Sequence, residues 1–159
     1  MKQSSTLFLK GVVVLIGIST IALMLWEPLL EGRNTRAALF EIYFKDPFLA
    51  YAYIASLPFF AALYQAFTLL EYIEKNKVFS RESVRTLRTI KYCAMSLVGL
   101  IVAPEAYLII VRPGDDIAGG VAMGLFLIFV STVIATAAAV FERLLQSAVD
   151  IKSENDLTV

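Results

Sequence analysis

The chain has 159 residues; 58% are apolar, 14 are Lys or Arg, 14 are Asp or Glu, one is cysteine and none is histidine. A soluble domain is about 45–50% apolar, so this composition, with a mean hydropathy of +0.73, excludes an ordinary water-soluble globule. An intrachain disulfide, a histidine-based triad and a histidine metal site have no residues to build them, and zero net charge argues against direct nucleic-acid binding.

A membrane-crossing helix needs about 20 mostly apolar residues to span roughly 30 Å of hydrocarbon. Four such windows follow one another. The first covers residues 7–28 and reaches back over Leu7-Phe8-Leu9 with Lys10 snorkelling. It is long for a signal-peptide core, and no small-x-small site precedes Trp26-Glu27-Pro28, so it is read as a retained anchor. Residues 31–46 connect it to the next span, and Ala37 to Phe44 predicts a short interfacial helix with Leu39, Phe40, Tyr43 and Phe44 towards lipid. The second span, 47–70, contains Pro58, which frees the carbonyl of Ile54 and predicts a kink.

The connection 71–91 turns at Asn76-Lys77-Val78-Phe79. Ser80 is a good N-cap, with Glu82 in the first turn against the positive helix end. From Arg81 a helix runs into the third span, 92–111. Val84, Leu87 and Lys91 follow one face; Arg81, Arg85 and Arg88 follow another. Cys93 reads as a reduced packing residue. Pro104 frees the carbonyl of Leu100, and Ser56 and Ser96 are the hydroxyls expected to help at the two prolines. Arg112-Pro113-Gly114-Asp115-Asp116 is a tight turn that makes spans three and four antiparallel neighbours.

Span four, 117–141, carries the small pairs Gly120/Gly124 and Ala118/Ala122, then Ser131, Ala135 and Ala139. Such a stripe lets helices approach closely in lipid, within one chain or across a homo-oligomer seam. Residues 142–159 continue as an amphipathic extension, with Phe141, Leu144, Leu145, Ala148 and Ile151 on its apolar side. Ten Lys and Arg fall on the side of both termini and four on the other, so both termini are expected to be cytoplasmic. Neutrality is then the sum of +3 on one side and −3 on the other.

Two groups of residues stand out. Glu105 lies inside a span, where a charge costs about 2.5–3.5 kcal/mol at the centre and less towards the ends. With Glu27, Pro104 and Arg112 it predicts a small polar pocket open to the outside. Arg81, Arg85, Arg88 and Lys91, with Glu154, Asn155 and Asp156 of the tail, predict a cytoplasmic face for anionic headgroups or a protein partner.

The run FERLLQSAVDIKSENDLTV, with VFSRESVRTLRTIKY before span three, resembles the bacterial family catalogued as domain of unknown function 2975. The resemblance covers nearly the whole chain, and the tail from Glu154 to Val159 is its most specific part. It implies an all-α, four-helix protein of the bacterial cytoplasmic membrane. Members are commonly encoded beside a small helix-turn-helix regulator of the Cro/cI type, which implies a partner to bind or sequester; the family carries no established catalytic residues. The expectation is a membrane-embedded regulator or sensor without cofactor. The alternative is a small transporter or channel using Glu105. No P-loop, dinucleotide fingerprint or metal-ligand cluster points to an enzyme.

Overall fold

The fold was taken from a computed structural model, which describes residues 3–30, 47–111 and 118–156. Four helices follow in order: α1 (Gln3–Leu30), α2 (Pro47–Glu74), α3 (Arg81–Val111) and α4 (Ala118–Asp156). All four are long and apolar enough to cross a membrane. α2 and α3 stay helical through Pro58 and Pro104. The 39 residues of α4 span about 58 Å at 1.5 Å each, so α4 runs well beyond one hydrocarbon thickness. The expected interfacial helix at 37–44, the turn at 112–116 and the last three residues of the tail lie outside the described residues, as do the side chains of Glu27, Arg112 and Asp156.

The turn between α2 and α3 forms for local reasons. Asn76 takes a left-handed conformation (φ 54°), tolerable for its short polar side chain. Its N–H donates to the Ile73 carbonyl (3.2 Å), and the Lys77 N–H donates to that of Tyr72 (2.8 Å). This pair of bonds closes a helix C-terminus in the Schellman manner. Ser80 then caps α3: its Oγ accepts from the Ser83 N–H at 3.3 Å. The fully buried Ser83 donates its hydroxyl to the Lys77 carbonyl at 3.1 Å, tying cap to turn.

Each helix packs chiefly on its neighbour in sequence, α3 on α4 most extensively, α2 on α3 next, and α1 on α2 least. The described helices thus pack in chain order. α1 is held by few groups. Lys10 pairs with Glu74 and sits 5.3 Å from the Phe67 ring centroid. The Tyr53 hydroxyl donates to the Met24 carbonyl at 3.1 Å. Lys10 thus reaches an exposed acid at the end of α2. Most other large side chains of α1 face outward; Phe8 and Leu23 are exposed. In lipid this costs nothing, because acyl chains are as apolar as leucine.

The α3–α4 seam carries a heptad pattern. On α3, residues 83, 87, 90, 94, 97, 101, 104 and 108 are buried or half-buried; on α4, residues 124, 128, 131, 135, 138, 142, 145 and 149 are. Alternating steps of four and three keep one stripe facing an antiparallel partner. The small-residue expectation is corrected in detail. Gly124, Ser131 and Ala138 are buried, with Ala135 half-buried between them. Gly120 faces open space, and Ala139 is only half-buried, one step off the seam. The seam repeats every seven residues, whereas a Gly-xxx-Gly pair marks a four-residue step.

Candidate functional site

Two places concentrate chemistry. The first lies within the spans. The Leu100 carbonyl, left without its helical N–H by Pro104, accepts from the Tyr51 hydroxyl of α2 at 2.6 Å. The expected helper Ser96 is exposed, and Ser56 instead donates to the Tyr53 carbonyl at 2.7 Å. Tyr51 was legible in principle. It and Pro104 stand about equally far from the 75–80 turn, so a helical hairpin brings them level.

Glu105 turns towards α4, not lipid. Its carboxylate lies across Gly124, where an added Cβ would land on the carboxylate itself and 3.0 Å from Cγ. Glycine is therefore what gives this acid its place. Oε2 is buried and has no hydrogen-bond partner among the described residues. Of the expected outer pocket only Pro104 and Glu105 are placed, since the side chains of Glu27 and Arg112 are outside the described set.

The second place is the end of the molecule that carries the 75–80 turn. Glu142 of α4 is buried, 8% exposed, in the seam. Its Oε1 accepts from Arg88 Nε and its Oε2 from Lys91 Nζ, each at 2.6 Å. The hydrogen bond from Lys91, then that from Arg88, holds the Glu142 carboxyl below its ordinary value, and the bond to Glu142 raises the Arg88 guanidinium. Arg88 and Lys91 are expected from sequence on a face for anionic headgroups or a protein partner, whereas the structure pairs both with Glu142. That is corrected here: both bases belong to an interhelical lock. Arg81, Arg85, Lys77 and Arg143 are exposed and make no ion pair among the described residues. Glu154 and Asn155 lie exposed near the end of α4.

Beside the lock is an apolar groove of about 380 Å³, lined by Leu69 and Ile73 of α2, Phe79 of the turn, Leu87 of α3, and Phe141 and Leu144 of α4. Phe79, Phe141 and Leu144 are each well exposed. No group of three or more His, Cys, Asp or Glu among the described residues is placed to hold a metal ion.

Four apolar helices of membrane length, an ion-paired seam and a largely apolar outer surface define a polytopic helical membrane protein. The chain belongs to the family described as protein of unknown function DUF2975, which matches residues 12–159. It is 47% identical, over the full length of both chains, to the uncharacterized membrane protein YoaS of Bacillus subtilis (strain 168). No solved structure matches it.

Proposed function

We propose that the protein is a membrane-embedded regulatory protein whose turn-bearing end is cytoplasmic and docks a small helix-turn-helix regulator. One observation carries this reading. The apolar groove opens at the end where Lys77, Arg81, Arg85 and Arg143 are exposed and make no ion pair among the described residues, while Arg88 and Lys91 are taken by Glu142. An apolar groove at an end of the molecule that carries exposed cations fits an amphipathic helix with an acidic flank. The family context from sequence supplies the candidate partner. α4 extends the surface well past the apolar span.

The test is co-purification from native membranes of the tagged full chain with the neighbouring regulator. Phe79→Asp and the pair Arg81→Glu, Arg85→Glu are expected to abolish association while the protein still inserts. Association unchanged in both variants would overturn the reading. Arg88→Glu is unsuited to this purpose, because it would set an acid against the buried Glu142.

A second reading, transport, is favoured by the interior placement of Glu105. Intramembrane acids that face a helix interface mark substrate or ion pathways.

A further inference from the structure

We infer that Glu105 and the Gly124 notch form a binding site, entered from the bilayer, for a lipophilic ammonium ion that carries N–H. Three observations converge. First, Glu105 Oε2 is buried without a donor among the described residues. A buried acceptor left unpaired costs free energy, more so when charged, and a ligand N–H with a positive charge supplies both missing partners. Second, the absence of a side chain at Gly124 leaves room for the carboxylate against α4. Third, the residues one turn away are apolar: Ile101, Val102 and Leu108 on α3, Val121, Leu127 and Ile128 on α4.

The surroundings decide the ligand class. A hydrated metal ion needs about six oxygen ligands, and a single carboxylate among aliphatic side chains does not provide them. An amine with an apolar body meets the carboxylate with its head and the aliphatic wall with its tail. Glu105 stands six residues from the end of α3 at Val111, about 9 Å along the helix. An amphiphile anchored near the headgroups reaches that depth. The Leu100 carbonyl nearby is already taken by Tyr51.

The proposal deepens the transport reading, and the experiment separates the two. The full chain, labelled with 13C at the glutamate side-chain carboxyl carbon, is placed in phosphatidylcholine nanodiscs. The Glu105 resonance is assigned by its loss in Glu105→Gln. Dodecylammonium, dodecyltrimethylammonium and dodecanol are titrated in turn. The expected result is a saturable shift of the Glu105 signal with dodecylammonium, at a concentration about tenfold lower than with the trimethyl compound, which lacks N–H. Dodecanol is expected to leave it unmoved. In Gly124→Ala the new methyl displaces the carboxylate, and half-saturation rises by about tenfold. A signal unmoved by the ammonium ion, or moved equally by dodecanol or by the trimethyl compound, overturns the proposal. This comparison uses the wild-type chain alone, so a variant that folds poorly does not decide it. Protein-dependent movement of the amine in phosphatidylcholine vesicles, measured over protein-free vesicles, then tests transport. A shift without movement keeps the site and removes transport; movement without a shift removes the site.

Discussion

At the residue scale, the structure turns on acids that composition alone treats as equivalent. Glu142 and Glu105 both sit in the α3–α4 interface, yet one is doubly paired and the other has an oxygen without a partner among the described residues. The pairing of Glu142 has a definite pH signature. Its carboxyl is held below the ordinary value of 4.5, so the lock contributes fully above the unfolded-state value and is lost as pH falls through the lower folded one. Glu142→Gln is expected to destabilise the protein by about 1–3 kcal/mol at pH 7, because Arg88 and Lys91 lose their charge partner. The difference between wild type and variant should shrink below about pH 4.5. Thermal unfolding in detergent at pH 7 and pH 4 checks both, and a difference that grows in acid would refute the assignment. Glu82, also held low by its backbone amide and Ser80, adds acid sensitivity to both proteins equally.

At the element scale, the α2–α3 turn is the best-specified local structure. Asn76, Ser80 and Ser83 each satisfy a backbone or hydroxyl group that would otherwise be orphaned. Ser80→Ala removes the cap and is expected to cost about 1 kcal/mol, visible as a lower melting temperature and faster amide exchange at Ser83 and Val84. Unchanged exchange at both amides would show that the cap contributes nothing. This turn was legible in sequence, because capping depends on residues within a few positions of one another. The partner of the Leu100 carbonyl was less so. A nearby hydroxyl on the same helix is the local solution, whereas Tyr51 acts from another helix, 49 residues away.

At the scale of the whole molecule, the helices pack in chain order and the tightest interface is α3 with α4. Most of the buried residues cluster where α3 begins and α4 ends, from Ser83 to Ala94 and from Ala138 to Val149. Packing there follows aqueous rules, with Val84, Leu87 and Val149 withdrawn from the surface, whereas the apolar spans keep large side chains facing out. If that end is cytoplasmic, impermeant maleimide in intact cells should spare Lys77→Cys and Lys152→Cys in a Cys93→Ala background and label Asp116→Cys. The opposite pattern would invert the topology and remove the cytoplasmic docking face.

Hydropathy is a sum over neighbours in the chain, so the four helices, their approximate limits and the cap at Ser80 follow from sequence alone. Which face of each helix meets another does not. In a bilayer every apolar face is equally at home, and the hydrophobic signal that sorts inside from outside in water loses its direction. The tertiary structure therefore decided what the sequence left open. It placed Glu142 between Arg88 and Lys91, brought Tyr51 to Leu100, moved the small-residue seam off Gly120, and laid Glu105 across Gly124. Each of these depends on the register between two helices, a long-range quantity that no window along one helix contains.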